Sequence, residues 1–294
     1  MKRLRYLLEA ALLWSMLGLF RLAGIDNASA IGGAVGRTIG PLLAKNRVAR
    51  ANLKACFPGI SETELKAITR AMWDNLGRFM GEMVHLHELD VYGSDRVTIV
   101  MAPEVEAVVE AAGAAGTPLI FFTAHFGNWE VSPLLATQRG IDTTLVYRQA
   151  SNPWSEKMIQ HWREKRGGHW VPKGREGARA IVSALSKGGA LAILADQKFN
   201  EGLAVPFFGR EAMTAPAIAE LALKFMAPLI PVRVERLGGA RFRVVVLPPM
   251  TLPETGERKS DVMAILTAIN GLFESWIREC PGHWLWIHRR WPRD

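Results

Sequence analysis

Between Val97 and Val246 short strand-like runs alternate with helical stretches, and this alternation limits the fold more than any other feature of the chain. The strand-like pieces fall at 97–101, 119–123, 143–147, 190–195, 229–234 and 242–246. Helical patterns separate most of them, at 104–112, 129–138, 154–165, 177–187 and 216–225, and another follows at 261–279. The run "PLIFFTA" (118–124) shows the strand type: apolar, β-branched and aromatic, with Gly116 and Pro118 at its mouth. Strand and helix in turn predict an α/β fold with a mixed, mostly parallel central sheet flanked by helices. At 294 residues, one large domain is the simplest count. No internal repeat or low-complexity tract interrupts it.

Ahead of this body lies "MKRLRYLLEAALLWSMLGLFRLAGI", basic at Lys2, Arg3 and Arg5 and then apolar. Its uninterrupted apolar core, Ala10 to Phe20, is shorter than the ~20 residues that span a bilayer. A signal peptide would need a small-residue cleavage site, for which "NASA" at 27–30 is the nearest candidate. The preferred reading is a retained membrane anchor helix over 1–25, in-plane or barely spanning, ahead of a catalytic body over 26–294. An ordinary amphipathic core helix is the alternative. The Gly-rich "AIGGAVGRTIGPLLAKN" reads as a hinge between anchor and body. Pro58 stops one helix, and Ser61 with Glu64 opens the next as a capping box.

Lys and Arg outnumber Asp and Glu by 36 to 28, a formal net charge of +8. Such an excess favours an anionic partner: nucleic acid, an anionic membrane surface or an acidic carrier protein. Nucleic acid is disfavoured, because the cations are dispersed and neither zinc-finger spacing nor an RNP-type strand occurs. Cys56 and Cys280 lack metal-type spacing and read as structural thiols of a reducing compartment.

The chemistry concentrates in "HFGNWE", 125–130. His125 follows a strand and precedes a helix, at the kind of sheet edge where α/β folds bind ligands. Gly127 permits a turn, Asn128 is a good N-cap, and Glu130 falls in the first helical turn. If the chain bends back at Gly127, Glu130 is able to hold one imidazole nitrogen as N–H and leave the other free to take a proton. No Ser or Cys stands at a nucleophile elbow, so such a base would activate a substrate hydroxyl. Taken alone, H-x4-E equally fits a buried histidine that caps a helix. A metal is not indicated, since the other histidines form no ligand cluster of known spacing, and no nucleotide-binding signature occurs.

These residues resemble the lysophospholipid acyltransferase superfamily, and within it the late (lauroyl/myristoyl) acyltransferases of lipid A biosynthesis. His125 and Glu130 match the H-x4-D/E motif. "VYRQASNPW" is similar to the Tyr-Arg-x3-Asn-Pro segment through Tyr147, Arg148, Asn152 and Pro153. "GREGARAIVSALSKGGALAILADQ" matches the next block at Arg179, Gly188, Asp196 and Gln197. "VPFFGREAMTAPAIAELA" carries the Phe-Phe-Gly and Thr-x-Pro block, with Thr214. "RVARANLKACFP" and "CPGHWLWIHRRW" match the opening and closing blocks. The resemblance runs from about residue 47 onward and departs at the short N-terminal anchor.

The resemblance implies a membrane-associated O-acyltransferase at the cytoplasmic face of the inner membrane. Acyl carrier protein would present the acyl thioester as co-substrate, with no further cofactor, and a glycolipid or phospholipid hydroxyl would accept the chain. His125 would be the base and Glu130 its orienting acid. Backbone N–H groups near Phe126–Asn128 are candidates for the oxyanion. Arg148 is a candidate for the oxyanion or a phosphate, with a surface ion pair as the alternative. Asp196 would hold a substrate hydroxyl or position Arg148, unless it is a turn cap. Gln197, Phe208, Gly209 and Thr214 are placed in a loop lining the groove. The tryptophan-rich tail fits either a membrane interface or a packed final element, and catalysis is not placed there. Rival functions are transfer to another lipid acceptor, such as a lysophospholipid, an ornithine lipid or a phosphoinositol mannoside, thioester hydrolysis, and carrier-protein binding without chemistry.

Overall fold

The structure is a computed structural model that describes residues 2–291. Met1, which opens the expected anchor segment, and residues 292–294, which close the expected body, lie outside the described residues, as does the side chain of Lys2.

The chain begins with three helices, α1 (Lys2–Ile39), α2 (Ala44–Cys56) and α3 (Glu62–Glu82). Ser61 and Glu64 form the capping box at the start of α3: the Ser61 hydroxyl accepts from the Glu64 N–H, and the Glu64 carboxylate accepts from the Ser61 N–H. Then follow β1 (Val97–Met101), α4 (Pro103–Ala115), β2 (Leu119–Thr123), α5 (Ser132–Thr137), β3 (Thr143–Tyr147) and α6 (Pro153–Glu164). The rest is β4 (His169–Pro172), α7 (Arg175–Ser186), β5 (Ala190–Leu194), β6 (Lys198–Phe207), β7 (Arg210–Thr214), α8 (Ala217–Phe225), β8 (Leu229–Gly238), β9 (Arg241–Val246) and α9 (Arg258–Glu279).

The expected architecture is what the chain adopts. A 7-stranded sheet runs in the order β1-β9-β8-β2-β5-β3-β4. Every neighbouring pair is parallel except β8 and β9. The helices cover both faces, as parallel strands require. One core joins Phe122 and Leu191 to α7, α8 and α9 through Leu185, Ile218 and Phe273. The opposite core joins Leu119, Ile230 and Phe242 to α4 and α5 through Val105, Val109 and Leu134. Two strand elements went unread in the sequence. One is β4, whose "HWVP" is short and ends in proline. The other is the antiparallel hairpin β6–β7, which occupies the region expected to be a loop.

The segment read as a hinge is helical. Residues of "AIGGAVG" continue α1 and press it against α3 so closely that a Cβ on Gly32 would lie 2.2 Å from the carbonyl oxygen of Gly77, and one on Gly36 2.1 Å from that of Trp73. The glycines serve a close helix–helix crossing. The bend in α1 lies earlier, at Gly24 (φ 74°, ψ 161°). The first part of α1 also packs on the body: Leu17 and Phe20 meet Met83, Val84 and Met158. Asn152 donates to the carbonyl of Tyr6 at 2.8 Å, which ties this helix to the start of α6. Its other face carries Leu4, Leu8, Leu12, Trp14, Leu19 and Leu22 into solvent. The whole helical stretch Arg3–Leu42, by length and composition alone, is long and apolar enough to cross a membrane.

Candidate active site

Strands β2 and β5 are parallel neighbours, with Thr123 opposite Leu194. Two residues beyond each stand His125 and Asp196, so the register itself brings them together at the carboxyl edge of the sheet. The imidazole Nδ1 lies 2.7 Å from Oδ1 of Asp196. The His125 backbone N–H donates to Oδ2 at 2.9 Å, and the indole N–H of Trp284 donates to the same oxygen at 2.8 Å. Burial works to raise the Asp196 carboxyl, but the His125 charge and these hydrogen bonds outweigh it and hold it at about 2. An ionised carboxylate only accepts, so Nδ1 carries the proton and Nε2 offers a lone pair. The Gln197 amide Nε2 lies 3.1 Å from that lone pair.

This corrects the expectation for Glu130. Its carboxylate accepts from Nη1 of Arg166 at 2.6 Å and does not hold the imidazole. The reason is local. Gly127 turns the chain at φ 58°, and the residues after it form a single 3₁₀ turn (Trp129–Val131) rather than a regular helix start. The turn lays the Trp129 ring beside His125, with centroids 4.9 Å apart, and directs Glu130 to the guanidinium just beyond α6. Asp196 is likewise no substrate ligand. It is 4% exposed, and its donors are His125 and Trp284.

Asn128 is also reassigned. It makes no side-chain cap; its amide donates to Glu82 at 2.7 Å in a fully buried network. Glu82 also accepts from Ser29 and Arg236, which ties α1, α3 and β8 beneath the loop. Thr214 is buried, donates to the Ala212 carbonyl and accepts from Arg290 at 2.7 Å, away from the cavity described next. Phe207 and Phe208 are core residues. The proposed oxyanion donors are partly consumed: the Phe126 N–H bonds to Ala124 O and the Gly127 N–H to His283 O.

His125 opens onto a cavity of about 810 Å³ at the carboxyl edge of the sheet, whose wall is largely apolar. Gln197, Arg148, Lys198 and Glu130 also line it. The structure therefore brings His125, Glu130, Arg148 and Gln197 to one cavity, with Asp196 behind the imidazole, and leaves Asn128 and Thr214 outside.

Trp284 and Arg166 also belong to this site, and no motif in the sequence marks either for that role. The tail also clamps the histidine loop through its backbone: the Leu285 N–H donates to His125 O at 3.0 Å, and Phe126 and Trp284 form a β-bridge. His288 places its ring 5.7 Å from that of His125. Burial, then the charge of His125, push His288 down to about 4, so it is neutral at pH 7. The tryptophans beside cations in the tail were the only sequence signal for this role.

A profile of the bacterial lipid A biosynthesis acyltransferase family matches residues 1–293. The chain belongs to that family. It is an acyltransferase of the non-aminoacyl type. Similar members include a lipid A biosynthesis acyltransferase of Haemophilus influenzae, 24% identical over 87% of this chain and 78% of its own. Others are the lipid A biosynthesis palmitoleoyltransferase of Escherichia coli K12, 25% identical over 88% of this chain and 83% of its own, and the lauroyltransferase of the same strain, 22% identical over 83% and 78%.

Proposed function

We propose that this protein moves a fatty acyl chain from an acyl carrier protein thioester to a hydroxyl of a lipid A precursor, at the cytoplasmic face of the inner membrane. The observation that carries the reading is one imidazole whose Nδ1 is fixed by an ionised carboxylate while Nε2 faces an apolar cavity. Nε2 takes the proton of the acceptor hydroxyl as its oxygen attacks the thioester carbonyl. Asp196 stabilises the imidazolium that forms. The C–S bond then breaks, and the sulfur leaves with the proton held at Nε2. The products are an ester and the free thiol of the carrier's arm. Arg148 and Lys198 place positive charge at the cavity for the oxyanion or for a phosphate of either substrate. The apolar wall suits an aliphatic chain. The exposed leucines of α1 suit a bilayer, and the net positive charge suits both an anionic leaflet and an acidic carrier.

The test is incubation of the full chain in phospholipid vesicles with an acyl carrier thioester and a lipid A precursor, followed by mass spectrometry of the lipid. An acylated precursor supports the reading, and His125→Ala should abolish it without loss of folding. Thiol release that proceeds equally without acceptor would make the protein a hydrolase. Acylation of a lysophospholipid or ornithine lipid in preference to the precursor would change the acceptor.

A further inference from the structure

Successive residues of a strand face opposite sides of a sheet, and here both sides of the central strands line the cavity: Phe121 and Ala192 on one face, Phe122 and Ile193 on the other. The cavity therefore forks at His125 into two limbs that differ in enclosure. The first lies between the sheet and helices α4 and α5, walled by Phe121, Val232, Val109 and Leu135, all buried or half-buried. The second lies between the sheet and α7 and α8. Its lining residues Ala178, Ala217 and Phe199 are exposed, so it is an open groove.

The first limb is enclosed along its walls and reaches the surface at the far edge of the sheet, where α5 hands over to β3; there it is stopped by a polar pair, Tyr92 and Arg139, both of them exposed. The Arg139 guanidinium sits 5.0 Å from the centre of the Tyr92 ring. The Tyr92 hydroxyl donates to Leu135 O at 2.8 Å, and Arg139 donates to Glu106 at 2.6 Å. Tyr92 is thus tied to the backbone of α5, which walls the limb, and Arg139 to a carboxylate that does not line it.

We propose that the first limb holds the acyl chain of the donor, and that Tyr92 and Arg139 form the floor that sets the longest chain accepted. The inference rests on the acyltransferase reading above. An unbranched chain fits an apolar limb enclosed along its walls, whereas an acceptor with a headgroup needs the open groove. Every further methylene buried along the limb raises affinity about fourfold, the equivalent of ~0.8 kcal/mol. At the floor the gain stops, because the terminal methyl would have to displace a guanidinium held by a carboxylate.

The test measures binding separately from turnover. Even-numbered saturated fatty acids from octanoate to stearate displace a fluorescent fatty acid from the full chain in nanodiscs. Affinity should climb with length and then break. Tyr92→Ala should move the break to longer chains and raise affinity for the first excluded acid about fifteenfold, by burial of two further methylenes. Ala192→Leu, which fills the limb partway, should move the break to shorter chains. Ala178→Leu, in the open groove, should leave it in place. The Ala192 variant carries the test alone if Tyr92→Ala does not fold. A break unmoved by both limb variants, or moved by Ala178→Leu, overturns the assignment, as does failure of the wild type to bind any of these acids. A floor-dependent break without acyl transfer would refute the reaction and leave the floor standing, and transfer with an unmoved break would do the reverse.

Discussion

His125 and Asp196 face each other across the β2–β5 pair, with Nδ1 2.7 Å from Oδ1, although 71 positions separate them in the chain. The carboxylate next to the histidine in sequence, Glu130, serves Arg166 instead. Two substitutions separate these roles. Asp196→Asn offers Nδ1 an amide that is able to donate as well as accept, so the tautomer is no longer fixed, and turnover should fall by about 10³–10⁴. Glu130→Gln keeps an acceptor but leaves the buried Arg166 uncompensated. It should cost about 2–3 kcal/mol of stability and less turnover than the Asp196 variant. Urea unfolding and steady-state rates measured side by side decide this. Equal rate losses would return Glu130 to the catalytic pair.

Trp284→Phe retains the ring packing but removes one donor from Oδ2 of Asp196. With that hydrogen bond gone, the carboxyl protonates at higher pH than about 2. Turnover at pH 7 should drop about tenfold with KM unchanged, on the ordinary value of a buried hydrogen bond to a charged group. The acid side of the pH–rate profile should begin its fall at higher pH. A profile superimposable on the wild type would reduce Trp284 to packing.

His283 and His288 are both pushed down to about 4, His283 by burial and then the charges of Arg236 and Arg233, His288 by burial and then His125. Unfolded histidine titrates near 6.5. Between those values the unfolded chain binds protons that the native one refuses, so stability falls as pH drops through the window. Each histidine contributes on the order of 3 kcal/mol across it. Asp196 adds a loss in the same direction below its unfolded value of about 3.9. The urea midpoint should therefore be lower at pH 4.5 than at pH 7, and His288→Asn should flatten the difference. A midpoint independent of pH over that range would contradict the burial of both rings.

At Gly127 the backbone has φ 58°, and an added Cβ would lie 2.1 Å from the carbonyl oxygen of Val234. Gly127→Ala should destabilise the fold by about 2 kcal/mol or more and displace the imidazole, with a disproportionate loss of turnover. Denaturant curves beside rates test it, and a fully active variant would show that the loop tolerates a different turn.

Leu8 and Leu12 on α1 are 63% and 74% exposed. Replacing both by Asp should release the protein from anionic vesicles in a flotation assay while its unfolding transition stays near that of the wild type. Continued flotation would place the bilayer contact elsewhere.

The sequence exposed the strands more readily than their neighbours. Alternation made β1, β2, β3, β5, β8 and β9 visible, because each is a compact apolar run. It said nothing of the order that sets β2 beside β5 rather than β3, and that order makes the pair at the site. His125 and Asp196 were both legible as strand-end residues; their partnership is a fact of register. The hairpin β6–β7 escaped notice because its first strand carries Lys198, Asn200, Glu201 and Gly202, so no apolar period marks it. Glycines spaced for contact with α3 look the same in one dimension as glycines spaced for flexibility, which is why the second half of α1 read as a hinge. Trp284 offered no chemical signal of its own, since an indole becomes a hydrogen-bond donor to a particular carboxylate only after folding.

The clamp of 283–286 over the histidine loop has a consequence for how the protein is made. Of the parts that build the site, this segment leaves the ribosome last. A nascent chain that has already folded its strands still lacks the donor and the backbone bridge that lock the imidazole. On the proposed function, the site becomes competent only when synthesis has passed the segment that closes it.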